Sequence, residues 1–351
     1  MSHLVLSVLR SVRQSSHLNQ SHTISHWVRQ VRMAHVQLFL DWDGTLTKND
    51  TILSLSGIGY KVNERLGIKL RPWHEIVDTY LAELKAHASS YEPSAEQRKT
   101  TESELKYLTS LKSVERASTD RVIRSGVFCN VTAEDLDFGA KEAIENGIIE
   151  MRSGWEKLCS LISLFSNEGQ NTLEVSIVTV NWSASFIRSC LLHAAEKQRL
   201  DVTTIKHLHI YGNEVVGAPD DGFSTMPRNL SAANAIHTTA DKCDAMKDPL
   251  AAGHSKALGV GQEYFSVYVG DTLPDFCPLL QVDFGICIRD NPMGSGQNEL
   301  AQTLERVGVM AMPLSRANRS RLLEKSPSKI VYWSNDLAEV ASFVENKLFR
   351  S

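Results

Sequence analysis

The chain has 351 residues, of which 42% are apolar and 22% charged, and its formal net charge at pH 7 is -4. This length allows one large or two ordinary domains with an ample core. The small net charge and the dispersed lysines and arginines argue against a nucleic-acid-binding protein, and the apolar runs are too short to span a bilayer.

The cysteines and the N-terminal segment indicate an intracellular protein. Six scattered cysteines without a CxxC pair favour reduced thiols over a disulfide scaffold or a zinc site. Residues 1–35 contain four arginines but no Asp or Glu. This composition is typical of a mitochondrial transit peptide. A dispensable extension is the alternative, since a chain that begins at Met33 would be complete. Both interpretations place the segment outside the fold, in a cytoplasmic or mitochondrial protein.

Residues 36–47 combine an apolar run with a pair of carboxylates. Val36 to Leu40 predict a buried strand that ends at Asp41. Asp43 follows two residues later, and Gly44 allows a sharp turn. Two close carboxylates repel each other unless one holds a proton or a cation lies between them. Mg²⁺ prefers such oxygen ligands. One Asp can then be a nucleophile and the other a general acid/base.

The sequence of residues 41–47, D-W-D-G-T-L-T, resembles motif I of the haloacid dehalogenase (HAD) superfamily. Within that superfamily the chain is most similar to the phosphoserine-phosphatase-like branch. The resemblance implies that Asp41 is the nucleophile and Asp43 the acid/base, with Gly44 and Thr45 in supporting positions. It also implies three further motifs downstream.

Residues 49–149 have a helical pattern without a convincing strand. Helices are predicted over residues 73–88, 96–124 and 133–145. In the resembled family an all-helical insertion at this place is a C1 cap, which excludes water and contacts substrate. Four polar or aromatic residues could face substrate, although ordinary packing is the commoner role for each. They are Trp73, His74, Tyr80 and Tyr91.

Beyond residue 150 helices and strands alternate, which predicts a parallel sheet with helices on both faces. A strand over residues 173–180 is followed by a helix from residue 183. The Thr179 hydroxyl and the start of that helix can bind phosphate oxygens. This arrangement resembles motif II. Asn181, a further candidate phosphate ligand, occupies a position that is usually small in phosphoserine phosphatases, so the substrate stays open.

The resemblance also requires a lysine at a helix start, for which Lys242 and Lys256 are candidates. Lys256 lies 15 residues before Asp271, which is too few for a helix of typical length plus a strand, whereas Lys242 lies 29 residues before it. We therefore predict Lys242 as the motif III phosphate ligand and keep Lys256 as the alternative.

The stretch Gly270–Asp275 follows a predicted strand over residues 265–269 and resembles motif IV. The resemblance implies that Asp271 binds Mg²⁺ together with Asp41 and the backbone carbonyl of Asp43. Asp275 could bind the metal, hold a metal-bound water or steady the lysine. Further strands are predicted over residues 284–288 and 330–333. Arg289, after the first of them, could be a surface charge or a phosphate contact.

Together these features predict an α/β fold with a three-layer Rossmannoid HAD core of mainly parallel sheet. The core comprises residues 36–48 and 150–351, and the helical cap residues 49–149. The expected function is Mg²⁺-dependent hydrolysis of a small phosphorylated metabolite through an aspartyl-phosphate. Asp43 favours a phosphatase over a dehalogenase, because a departing halide needs no proton. A phosphotransferase or a non-catalytic binding protein is the alternative. The oligomeric state stays open.

Overall fold

A computed structural model describes residues 33–165, 171–215, 228–229, 235–318 and 329–350 of the chain. The two interpretations of the N-terminal segment concern residues 1–32, which lie outside these ranges. The expectation that residues 1–35 are all excluded from the fold is wrong for Ala34 and His35, which are buried residues of the first strand. The Pro/Gly/Asp-rich stretch over residues 217–229 predicts a loop, most of which also lies outside these ranges. None of the helices within the ranges is both long and apolar enough to cross a membrane.

Within the described residues the chain forms nine strands. They are β1 (Ala34–Leu40), β2 (Thr172–Val178), β3 (His209–Tyr211), β4 (Asn213–Glu214), β5 (Arg228–Asn229), β6 (Glu263–Gly270), β7 (Phe284–Ile288), β8 (Met310–Pro313) and β9 (Ile330–Ser334). Seven of them form one sheet in the order β3-β2-β1-β6-β7-β9-β8, and every pairing in it is parallel.

The same ranges contain twelve α-helices. They are α1 (Ile52–Arg65), α2 (Trp73–Ser90), α3 (Thr101–Ser110), α4 (Lys112–Arg124), α5 (Ala133–Glu145), α6 (Trp155–Phe165), α7 (Ala184–Gln198), α8 (Val202–Lys206), α9 (Thr239–Val260), α10 (Phe276–Gln281), α11 (Ser295–Arg306) and α12 (Leu337–Phe343).

The central strand β1 is buried along its whole length, because apolar layers cover both faces of the sheet. Leu38 and Leu40 lie in one apolar cluster with residues of α6, α7 and α12. Phe39 points to the other face and joins a second cluster with residues of α9, α10 and α11. Burying each such side chain stabilises the fold by about 1.5–3 kcal/mol. The predicted three-layer α/β architecture is therefore confirmed.

Helices α1 to α5 lie between β1 and α6 in the chain. Two of the predicted helices match α2 and α5 closely, but the single helix expected over residues 96–124 is wrong. A 3₁₀ turn (Ala95–Gln97) comes first, and α3 and α4 follow separately. Thr100 starts α3 anew, because its side chain accepts a hydrogen bond from the Ser103 N–H at 3.1 Å. Helix α1 was not predicted from the sequence.

The sequence of residues 207–216 predicts one further strand or a hairpin, and the structure differs from this expectation. β3 pairs with β2, whereas β4 pairs with β5, so the two short strands join different sheets. Helix α9 spans 22 residues and contains both candidate lysines. The edge strand β8 and helix α11 were not predicted.

The expectation that all six cysteines are free thiols is wrong for two of them. Cys243 and Cys277, which are 34 positions apart in sequence, form a disulfide between α9 and α10. Cys129, Cys159 and Cys190 are free, as is Cys287. Cys243 directly follows Lys242 in α9, and Cys277 lies two residues after Asp275, in α10.

Candidate active site

Three predicted site residues follow neighbouring strands at the same edge of the sheet. Asp41 comes directly after β1, Thr179 directly after β2 and Asp271 directly after β6. β1 lies between the other two strands, and both pairings are parallel. The carboxyl ends of such strands form the crevice in which open α/β sheets bind ligands.

Lys242 reaches this edge from the first turn of α9. Thr238 and Asp241 form a capping box that fixes where the helix begins. The Lys242 side chain is fully buried, and its Nζ donates to Asp41 Oδ1 at 2.6 Å and to Asp275 Oδ1 at 2.7 Å. Burial alone would lower the pKa of Lys242, but the two carboxylates outweigh it and raise the pKa.

Lys256 lies elsewhere. Its Nζ pairs with Glu174, and more than half of its side chain is exposed to solvent. Of the two candidate lysines, only Lys242 therefore contacts the predicted nucleophile.

Asp275 is the most fully bonded carboxylate of the site. Its Oδ1 accepts hydrogen bonds from Lys242 and, at 2.6 Å, from the Tyr268 hydroxyl. Its Oδ2 accepts from the backbone N–H groups of Asp271 at 2.9 Å and Thr272 at 3.1 Å. This saturated geometry fits a residue that steadies the lysine and the loop after β6. Tyr268 was not predicted from the sequence.

The loop after β1 packs tightly against Asp271. Gly44 has a φ of +70°, and a Cβ there would lie 2.3 Å from Asp271 Oδ2. The Thr45 hydroxyl donates to Asp271 Oδ1 at 3.3 Å. Only glycine accepts this backbone conformation and this close approach without strain. Gly44 and Thr45 thus set the distance between the two predicted metal-binding segments.

A buried arginine that sequence reasoning missed holds the same loop. Arg152 Nε donates to the Thr45 carbonyl at 3.0 Å and its Nη2 to the Gly44 carbonyl at 2.5 Å. Asp290 accepts from Arg152 Nη1 at 2.6 Å and is itself bonded by Gln297 at 2.8 Å. The planar guanidinium suits such a multiple contact. Arg152 therefore fixes the backbone of the loop that also contacts Asp271.

Asp43 points to partners different from those of Asp41. Its Oδ1 accepts from the N–H and the hydroxyl of Thr51, both at 2.7 Å, and its Oδ2 accepts from Asn181 Nδ2 at 2.8 Å. Burial raises the pKa of Asp43 to about 6, while these hydrogen bonds oppose the rise. Thr179 accepts at its Oγ1 from the Asn181 N–H at 3.0 Å.

The donor set around Asp41 fits a divalent cation. Asp41, Asp271 and Asp275 each offer an oxygen within 4.8 Å of the others, and all three are buried. Lys242 neutralises only one of these negative charges. Burial and the nearby Asp275 accordingly raise the pKa of Asp41 well above its usual range and that of Asp271 to about 7. A hard cation such as Mg²⁺ would relieve this repulsion.

The candidate substrate contacts of the helical segment have varied surroundings. Trp73 stacks edge-on against Trp182, next to Asn181, with ring centroids 5.9 Å apart. The Tyr80 hydroxyl donates to Glu115 at 2.8 Å. Tyr91 packs against Tyr107, and His74 is exposed.

Arg289 lies beside β9. The sequence allowed two roles for it, a surface charge or a phosphate contact. Its guanidinium stands 5.8 Å from the centre of the Trp333 ring. Among the described contacts it thus packs on an aromatic residue of the neighbouring strand.

The order of the motifs and their convergence at one sheet edge agree with the resemblance to the HAD superfamily. The sequence matches no established protein-family profile. It is 21% identical to cold tolerance protein 1 of Saccharomyces cerevisiae over 284 residues, which span 77% of this chain and 83% of the relative.

Two solved structures of phosphoserine phosphatase, one with a phospho-aspartyl intermediate analogue and one with bound substrate, are also similar to the chain. Each aligns with a TM-score of 0.39 and 13% identity over 88% of this chain and 97% of its own. Similarity at this level assigns no activity to the chain.

Proposed function

We propose that the protein is a HAD-type phosphatase that hydrolyses a small phosphomonoester through an aspartyl-phosphate on Asp41. One observation supports this above all. Asp41 is buried at the end of β1, bonded to Lys242 at 2.6 Å, and shares a cluster of oxygens with Asp271 and Asp275. A buried carboxylate beside a fixed cation and a potential metal site is suited to attack an anionic phosphoryl group.

In this proposal Asp41 and Asp271, with the backbone carbonyl of Asp43, would hold Mg²⁺, which would neutralise phosphate charge when bound. Lys242 and Thr179 bind phosphate oxygens. An oxygen of Asp41 bonds to phosphorus as the bond from phosphorus to the leaving oxygen breaks, and Asp43 gives that oxygen a proton. Asp43 then takes a proton from the water that hydrolyses the aspartyl-phosphate. Asp275 steadies Lys242 throughout.

The helical segment has a place in the same proposal. Residues 49–149 form the cap, and residues 36–48 and 150–351 form the core. The ion pair between Lys112 of α4 and Asp241 of α9, at 2.6 Å, supports a cap that rests beside Lys242. A lid at this place would exclude bulk water from the site while the phosphoryl group is transferred to Asp41.

The test is hydrolysis of p-nitrophenyl phosphate by purified protein with Mg²⁺ or with EDTA. We expect activity with Mg²⁺ only, and complete loss in a folded Asp41→Asn variant. Asp244→Asn is the matched control, because Asp244 lies on α9 near Lys242 but its side chain is 60% exposed. A folded Asp41→Asn variant with activity equal to that of Asp244→Asn would refute the assignment.

A further inference from the structure

The Asp43 carboxylate is held by two neutral residues from different parts of the fold. Thr51, which supplies two of its three hydrogen bonds, is the N-cap residue directly before α1. Asn181, which supplies the third, lies in the loop after β2. Lys242 bonds to Asp41 and Asp275 instead. The two carboxylates of motif I therefore have separate sets of partners.

Thr51 and Asn181 are themselves fixed. Each is 1% exposed. Trp42 Nε1 donates to Thr51 Oγ1 at 3.0 Å, and Asn181 Nδ2 also lies 3.1 Å from that oxygen. The Ser183 N–H donates to Asn181 Oδ1 at 3.2 Å. Buried polar side chains with their hydrogen bonds made in this way have few alternative rotamers.

The amide of Asn181 consequently has a partner other than the phosphate expected from the sequence. Its Nδ2 is directed to Asp43 and Thr51, and its Oδ1 to the Ser183 backbone. Asn181, at which motif II departs from the resembled family, is thus bonded to Asp43, the proposed proton donor.

We propose that Thr51 and Asn181 are positioning residues for Asp43, which they orient for proton transfer to the leaving group. This inference rests on the proposed function. In the step concerned, an Asp41 oxygen bonds to phosphorus, the bond from phosphorus to the leaving oxygen breaks, and that oxygen receives the proton of Asp43. Because Thr51 is the N-cap of α1, the orientation of Asp43 depends on where the first turn of the helical segment lies.

A leaving group that is stable as an anion departs without a proton, whereas a more basic one needs it. The experiment compares kcat/KM for p-nitrophenyl phosphate with kcat/KM for phenyl phosphate, whose leaving group is of similar shape but more basic. This ratio reports only the steps up to departure of the leaving group. It is measured for Thr51→Val, which removes the hydroxyl, for Thr51→Ser, which keeps it, and for Asn181→Ala.

The matched control is Thr47→Val. Thr47 is also buried in the loop after β1, but its hydroxyl does not bond to Asp43. The Thr47 Oγ1 lies 2.7 Å from the Asn49 carbonyl and 3.2 Å from the Trp42 carbonyl, between which its one proton is shared, and it accepts from the Gly44 N–H at 3.3 Å. We expect Thr51→Val and Asn181→Ala to lower kcat/KM for phenyl phosphate about tenfold or more beyond any loss for p-nitrophenyl phosphate. Thr51→Ser should restore the ratio, and Thr47→Val should leave it unchanged.

Equal losses for both substrates in Thr51→Val and Asn181→Ala would overturn the inference while leaving the phosphatase assignment in place. If the wild-type protein hydrolyses neither ester, the proposed function itself fails. Crystal structures then decide the positioning role: we expect a changed Asp43 rotamer in Thr51→Val, and an unchanged one would refute it.

Discussion

Replacing Gly44 by alanine tests whether the loop after β1 sets the distance to Asp271. Two costs follow from the structure. The φ of +70° disfavours a side chain by about 1–2 kcal/mol. The added Cβ would also lie 2.3 Å from Asp271 Oδ2, and an ordinary contact of 3.4 Å requires one of them to move by about 1.1 Å. A misplacement of about 1 Å in a catalytic site can cost about 100-fold in rate.

Gly67 is the matched control, because its φ is +71° but a Cβ there meets no atom within 4 Å. Both alanine variants should lose about 1–2 kcal/mol in urea denaturation because of the positive φ, and Gly44→Ala should lose more because its Cβ also overlaps with Asp271. Only Gly44→Ala should lose about 100-fold in kcat/KM for p-nitrophenyl phosphate and need more Mg²⁺ for half-maximal activity. If the two variants have the same kcat/KM and the same Mg²⁺ dependence, the close approach has no role in the site.

Three further predictions concern stability. Lys242→Met leaves two buried carboxylates without their cation, so urea denaturation should show a loss of about 3–5 kcal/mol, reduced by Mg²⁺; an unchanged midpoint would contradict the buried ion pairs. Burial raises the pKa of Glu115 from 4.5 to about 7, so the folded chain keeps a proton that the unfolded chain has lost. The free energy of unfolding should therefore fall by up to about 3 kcal/mol as the pH rises from 4.5 to about 7. A Glu115→Gln variant whose stability falls equally over this pH range would refute this. The disulfide between Cys243 and Cys277 closes a 34-residue separation, so reduction should lower stability by about 3–4 kcal/mol; six titratable thiols in the non-reduced protein would contradict it.

The strands of the core could be predicted from the sequence because short apolar runs end in polar turns. β1, β6 and β7 lie where these patterns place them. Helix α1 was harder to predict, because Gly57 and Gly59 lower the helix propensity of its sequence. Gly59 is required by tertiary packing: a Cβ there would lie 2.4 Å from the Val127 carbonyl oxygen, which no local rule reveals.

The motif residues of the site were predictable because each follows a strand or begins a helix. The residues that support them were not. Arg152 bonds to a carbonyl 107 residues away and to Asp290, 138 residues away, so no local spacing indicates it. Tyr268 has the pattern of an ordinary strand residue, and its hydroxyl contact with Asp275 appears only in the folded chain.

Spacing along the chain predicted Lys242, which does contact Asp41. The assumption that a whole helix must follow the lysine was incomplete. One 22-residue helix contains both lysines, and they differ because they lie at opposite ends of it. Position along α9, rather than room for a helix and a strand, separates the buried lysine from the exposed one.

Asp41 should become covalently phosphorylated during turnover, at a carboxylate cluster that needs a divalent cation. The direct test is peptide mass spectrometry of protein quenched in acid during turnover of p-nitrophenyl phosphate, with Mg²⁺ or with EDTA. We predict one added phosphoryl group on Asp41 in the presence of Mg²⁺ and none with EDTA. Phosphate on another residue, or turnover with EDTA that never modifies Asp41, would contradict the account.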